Sequence, residues 1–251
     1  MIRLETLEKL ARQFQTGVFP NIVREYFQHL FLAELYKLSE AEKMLFKGGT
    51  ALRIVYGSPR FSEDLDFSLF GVSHNQVKPF VEGLFVDVLE KMERVGIQVE
   101  IGAKSEATTG GYFGVATFEM FEYRSVNVEI NVSQRNGRKT RGEVDSVAND
   151  FAPTYTVVHL PQNDLVEEKV FGALRERKKP RDFYDLYFMM RKGMLSLEQK
   201  KRLAGIKDDI IEDSKKINFR GELGAFLPAD QQAIIRDFMR ALQAEMNRQT
   251  G

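Results

Sequence analysis

Residues 46–67 read FKGGTALRIVYGSPRFSEDLDF. The apolar run Met44 to Phe46 predicts a short strand, and Gly48-Gly49-Thr50 then opens a helix expected to reach about Tyr56. Glycines at such a junction let the backbone approach a ligand with no Cβ in the way. Thr50 can cap the helix, and the free N–H groups of a helix start attract phosphate. A plain strand-to-helix turn uses glycines as well, so the triplet alone leaves both readings open.

The second half predicts a strand from Asp64 to Leu69. Asp64 and Asp66 fall on one side of it, while Leu65, Phe67 and Leu69 fall on the side that packs. Two carboxylates this close repel, and both stay ionised most easily with a divalent cation between them. An exposed polar strand face is the plainer alternative. Glu129, in NVEIN, lies on another expected strand with Val128 and Ile130 facing the other way, and is the natural third carboxylate. Three carboxylates facing a helix start would hold Mg²⁺ (or Mn²⁺) for phosphoryl or nucleotidyl transfer. The metal would neutralise triphosphate charge and activate the attacking hydroxyl.

Composition supports a hard cation rather than a soft one. The 251 residues contain no cysteine and only three scattered histidines, His29, His74 and His159, so thiolate and imidazole metal sites are excluded or disfavoured. A length of 251 residues suits one large domain or two modest ones. The N-terminal MIRLETLEKLARQF lacks the pattern of a secretory signal, and no run of eighteen apolar residues occurs; a soluble cytoplasmic protein with no membrane partner is expected. With 36 basic and 36 acidic residues the net charge is zero, which argues against nonspecific coating of nucleic acid. Two blocks stand out locally, RNGRKTR at 135–141 and RERKKPR at 175–181. Either is a solvated loop or a contact for a polyanion.

Helical periodicity predicts helices over Thr6 to Phe14, Ile22 to Leu38 and Asn75 to Val95. Strands are expected over Ile97 to Ala103, Phe113 to Phe121 and Ser125 to Val132, the last two joined as a hairpin through Glu122-Tyr123-Arg124. Beyond Pro161 only helices are expected: Asp164 to Glu176, Arg181 to Lys192, Ser196 to Ile211 and Pro228 to Asn247. The aromatic residues Phe113, Phe118, Phe121, Phe183 and Phe188 read as core. Asp182 and Asp185 share a helix face, and Asp182 stands where a carboxylate caps a helix start.

GGT followed by Asp64-Leu65-Asp66 is similar to the G-[GS]-x(n)-D-x-D signature of the nucleotidyltransferase-β superfamily. More narrowly, KGGTALR…YG..RFSEDLDF resembles the AbiEii/AbiGii family, the nucleotidyltransferase toxins of AbiE-type and MenA/MenT-type toxin–antitoxin systems. LVEEKVFGALRERKKPRDFYDLY extends the resemblance, which covers about residues 44–190. It implies an α+β fold: a nucleotidyltransferase-like mixed β-sheet with helices over 1–160, an all-helical C-terminal domain over 161–251, and an active site in the cleft between them. Gly49 and Thr50, with Gly48, would bind the phosphates of an NTP, and Lys47 and Arg53 would lie nearby. Asp64 and Asp66 would be the metal ligands, with Arg60 and Ser62 positioning their loop. Lys169 would face the triphosphate, and Asp182 would be a later catalytic or structural carboxylate. The family pattern offers no unambiguous third metal ligand, and Glu129 is the candidate taken for that place.

The expected reaction is transfer of a nucleoside monophosphate from NTP to an acceptor hydroxyl, with release of pyrophosphate. RNA, and the tRNA 3′ end in particular, is the acceptor the resemblance implies, and a cognate antitoxin is the implied partner. Transfer to a small molecule or a protein side chain is the enzymatic alternative. A catalytically inactive partner-binding scaffold is the other.

Overall fold

The computed structural model describes residues 2–102, 106–119, 125–135 and 140–250. The chain divides into two compact units, Met1–Gly57 with Phe61–Leu160, and Ser58–Arg60 with Pro161–Gly251.

The first unit is built on a mixed sheet of eight strands: β1 (Met44–Lys47), β2 (Leu65–Leu69), β3 (Gln98–Ile101), β4 (Glu106–Thr108), β5 (Gly111–Glu119), β6 (Val126–Gln134), β7 (Glu143–Val147) and β8 (Tyr155–His159). Their order across the sheet is β3-β5-β6-β2-β1-β8-β7, with β4 also paired to β5. β2 runs parallel to β6, and β1 parallel to β8; the remaining pairs are antiparallel. The helices of this unit are α1 (Leu4–Gln13), α2 (Val23–Leu35), α3 (Gly48–Ile54) and α4 (Val77–Arg94).

Apolar spacing explains which sheet face is covered. Val77, Val81, Leu84, Phe85, Val88, Leu89 and Met92 form one buried stripe along α4. That stripe and α2 pack on the sheet face that carries Tyr112, Phe118, Val128 and Ile130. Leu65 and Phe67 join the same core, at 1% and 0% exposed. Burying each side chain is worth roughly 1.5–3 kcal/mol. A slip of one residue in β2 would exchange these gains for a buried, unpaired carboxylate at Asp66. The register of β2 is therefore strongly determined, and Asp66 is held on the opposite face.

The second unit is helical as expected. α5 (Gln162–Val166) runs through a π-helical stretch, Glu167–Ala173, into α6 (Leu174–Arg177). Lys178, at φ +52°, ends that rod, and Pro180 starts α7 (Pro180–Arg191). α8 (Leu197–Ser214) begins with a capping box in which Gln199 N–H donates to Ser196 Oγ at 3.3 Å and Ser196 N–H donates to Gln199 Oε1 at 3.0 Å. α9 (Phe219–Phe226), α10 (Ala233–Arg236) and α11 (Phe238–Thr250) complete the unit. Phe219 and Phe238 pack with ring centroids 4.7 Å apart, and Phe183 and Tyr184 join them.

Several elements differ from the sequence reading. β4, β7, β8 and α9 are not anticipated, and the single helix expected over Pro228 to Asn247 is broken by a turn at Asp237, φ −120°. β8 is the important omission, since it lies beside β1 in the middle of the sheet. β5 and β6 form the expected antiparallel pair, while the expected turn Glu122-Tyr123-Arg124 and Phe121 lie outside the described residues. Phe118 and Phe183 are core as expected, but Phe113 is only half-buried. Among the described residues no helix is long and apolar enough to cross a membrane.

Candidate active site

The β1–α3 turn is shaped by one glycine. Gly48 sits at φ +82°, a backbone region that L side chains rarely adopt. A Cβ placed there would stand 2.1 Å from Asp66 Oδ2 and 2.8 Å from Asp66 Cγ. The Asp66 carboxylate thus rests against the backbone at the start of α3, in a space only glycine leaves open. Gly49 and Thr50 follow, both buried, in the first turn of α3, whose leading N–H groups have no acceptor within the helix.

Lys47, not Thr50, occupies the N-cap position, and its backbone pairs with Asp66 across β1 and β2. This corrects the expected capping role of Thr50. Its hydroxyl, in a fully buried side chain, donates to the Asp64 carbonyl oxygen and ties α3 to the entry of β2. Thr50 therefore positions the carboxylate loop from inside.

Asp64 is half-buried immediately before β2, and Asp66 is half-buried within it. Among the described residues the Asp66 carboxylate has neither an ion pair nor a hydrogen bond. Glu129 is not brought to them as a third ligand: no group of three acidic or histidine side chains able to hold a metal ion occurs among the described residues. The β6 residue opposite Asp66 is Asn131, and Glu129 lies two residues back along the strand, exposed and paired with Val115.

Arg53, expected near phosphate, and Arg60, expected to position the carboxylate loop, are each held by a carboxylate. Arg53 donates through Nε and a terminal nitrogen to both oxygens of Glu25, at 2.8 and 3.0 Å, and its guanidinium lies over the Phe61 ring at 4.1 Å. Only 10% of that side chain and 7% of Glu25 are exposed. Ser62 contributes its backbone, whose carbonyl oxygen accepts from Gln28 Nε2 at 3.0 Å.

Arg60 belongs to the second unit. Its guanidinium donates to both oxygens of Asp185, at 2.8 and 3.0 Å from one nitrogen and 3.0 Å from Nε. Lys169 Nζ donates to the same carboxylate at 2.8 Å. Burial alone would raise the Asp185 carboxyl, but the charges and hydrogen bonds of Arg60 and Lys169 hold it below the ordinary carboxylate value. Asp185 is the residue the sequence reading undervalued. The visible signal was its place one turn beyond Asp182 on a face that also carries buried Leu186 and Met189.

Asp182 lies in the first turn of α7. It is 2% exposed, accepts the Lys179 backbone N–H at 3.1 Å as the third residue of α7, and accepts Arg177 at 2.6 Å. The basic block at 175–181 is largely paired internally: Arg177 with Asp182, Lys178 with Asp213 and Arg181 with Glu222. In the block at 135–141, residues 136–139 lie outside the described residues.

Two crystal structures share this architecture. One, from H. pylori, is provisionally assigned as a nucleotidyltransferase; it is 18% identical, with 92% of this chain and 95% of that one covered and a TM-score of 0.65. The other, JHP933 from Helicobacter pylori, is 19% identical, with 92% of each chain covered and a TM-score of 0.64. The fold is that of nucleotidyltransferases. The family model for the nucleotidyl transferase AbiEii toxin of type IV toxin–antitoxin systems matches residues 30–250, and the chain belongs to that family. An uncharacterized protein of Aquifex aeolicus (strain VF5) is 29% identical over 173 residues, 69% of this chain and 70% of that protein.

Proposed function

We propose that this nucleotidyltransferase toxin uses Mg²⁺ to transfer a nucleoside monophosphate from an NTP to an acceptor hydroxyl at the tRNA 3′ end. The observation that carries this reading is the Asp66 carboxylate, half-buried against Gly48, with no hydrogen bond or ion pair of its own among the described residues. Asp64 and Asp66 fit Mg²⁺ as a donor pair, because this ion is commonly held by one or two carboxylates together with substrate phosphates. When bound, the ion offsets charge on the triphosphate and lowers the pKa of the acceptor hydroxyl.

The chain's own residues bind and orient. The first N–H groups of α3 face the phosphates, Gly48 allows them to come close, and Thr50 fixes the loop that carries Asp64. The acceptor oxygen bonds to the α-phosphorus as the bond from that phosphorus to the bridging oxygen breaks. Pyrophosphate leaves, and the hydroxyl proton passes to solvent. The family predicts a cognate antitoxin as partner, and substrate and acceptor place the reaction in the cytoplasm.

The test incubates purified protein with Mg²⁺, total tRNA and each α-³²P NTP in turn, beside Asp66→Asn. Label on tRNA from wild type only is the expected result. Label on the protein, or on a small molecule, would replace the acceptor while keeping the reaction. Equal labelling by Asp66→Asn would sink the assignment of the site.

A further inference from the structure

We infer that Asn131 and Phe113 form the nucleoside-binding part of the site, with Phe113 as the surface on which the base stacks. This rests on the transfer reading above and names where its substrate's base lies.

Lys47 is opposite Asp66 on β1 and β2, Asp66 is opposite Asn131 on β2 and β6, and Asn131 is opposite Phe113 on β6 and β5. Partners directly opposite in a sheet project to the same face. These four side chains therefore make one row across four strands on the face that carries Asp66. Phe113 is two strand spacings from Asp66, roughly 10 Å. That is about the reach from an α-phosphate across a ribose to a base.

The chemistry of the row is unusual for its sheet. On β5, Tyr112 and Phe118 point to the helix-covered face, where they meet Phe85 and Phe27. Phe113 points the other way, is half-buried, and pairs with no other ring among the described residues. Asn131 is also half-buried, and among the described residues its side-chain amide has no hydrogen-bond partner. On the same face Asn127 does have one, from the Thr117 hydroxyl at 3.0 Å. A half-buried amide with no partner in the fold leaves its donors and acceptor open to a ligand. A nucleoside supplies both needs: ribose hydroxyls or base edge groups for the amide, and a π-face for the ring. An isolated phosphate or a lipid chain supplies only one.

The experiment measures Mg²⁺-dependent binding of ATP, CTP, GTP and UTP, and of inorganic tripolyphosphate, by calorimetry. Wild type is compared with Phe113→Leu, Phe113→Tyr and Asn131→Ala, each shown to be folded by its thermal melt. Phe113→Leu keeps an apolar side chain and removes the ring face. It is expected to weaken the preferred NTP roughly tenfold, leave tripolyphosphate unchanged, and be rescued by Phe113→Tyr. Asn131→Ala is expected to narrow the spread of affinities among the four NTPs. Binding of all four NTPs by Phe113→Leu within twofold of wild type overturns the inference, as does a wild type that binds none. Transfer lost in Asp66→Asn but NTP binding indifferent to Phe113 removes this inference alone. Phe113-dependent binding by a wild type that transfers nothing removes the transfer reading alone.

Discussion

Asp66 and Asp185 are the same residue type in opposite circumstances. Asp185 is fully buried and receives two cations, Arg60 and Lys169, that together satisfy both of its oxygens. Asp66 is half-buried against a glycine and receives none among the described residues. A buried carboxylate matched from within the fold serves the fold, whereas one left unmatched is suited to a cation brought by substrate. The comparison has a direct consequence. Asp66→Asn is expected to lower transfer by about 10²–10³-fold or more while the unfolding midpoint stays level or rises, since a repelling charge is removed. Asp185→Asn is expected to destabilise the second unit by about 3–5 kcal/mol in urea unfolding, because Arg60 and Lys169 keep their charges in a buried place. The opposite pattern of stabilities would reverse the roles assigned to the two carboxylates.

Gly48 sharpens the same contrast. Gly48→Ala places a methyl group where the Asp66 carboxylate lies and imposes a positive φ on a residue that resists it. The conformational part costs about 1–2 kcal/mol. Displacing the carboxylate by an ångström or so is worth about 10²-fold in rate. Transfer should thus fall nearly as far as in Asp66→Asn, with a small loss of stability added. Full activity in Gly48→Ala would show that Asp66 can work from another position.

The first unit's site was more legible in the sequence than its surroundings. Alternation of Leu65, Asp66 and Phe67 identifies both the strand and the face, because burial of the apolar pair is strong enough to determine register. The apolar stripe of α4 is legible for the same reason. Partners distant in sequence were not. Arg53 meets Glu25, 28 residues away, and Arg60 meets Asp185, 125 residues away; no local pattern marks either pair. Sequence alone therefore leaves Arg53 available for phosphate and Arg60 for the carboxylate loop. β8 escaped because Tyr155-Thr156-Val157-Val158-His159 offers only three inward side chains, one of them a histidine. Alternation in NVEIN fixes the face of Glu129 and leaves its position along the strand undetermined.

A smaller effect concerns acid. His29 is 4% exposed, bonds through Nδ1 to the Tyr155 hydroxyl at 2.8 Å, and stacks on Phe151. Burial, and then the charge of Arg53, depress its pKa from 6.5 to about 3. The unfolded chain therefore takes up a proton below pH 6.5 that the folded chain refuses. Stability is fully present above that value and declines as pH falls towards about 3, by at most roughly 1.4 kcal/mol per pH unit. Asp185 adds a separate loss below the ordinary carboxylate value of 3.8, as its matched charge is titrated. Urea unfolding at pH 7.5, 6 and 5 should show the His29 slope in wild type and its absence in His29→Gln. Parallel slopes in the two proteins would assign the acid sensitivity elsewhere.

Glu129→Gln is expected to do least, and for that reason it bears most directly on the metal. If Asp64 and Asp66 hold the ion with the phosphates of the nucleotide, Glu129, which joins no three-ligand group among the described residues, contributes only through space. Glu129 is exposed, so its charge is screened by solvent and salt. Transfer by Glu129→Gln should stay within about twofold of wild type at physiological salt, with an unchanged Mg²⁺ requirement. A large rise in the Mg²⁺ concentration needed for half-maximal transfer would mean that Glu129 reaches the ion after all. Asp66 would then work within a three-carboxylate set, and the contrast with Asp185 would rest on a metal ligand that assembles only when substrate binds.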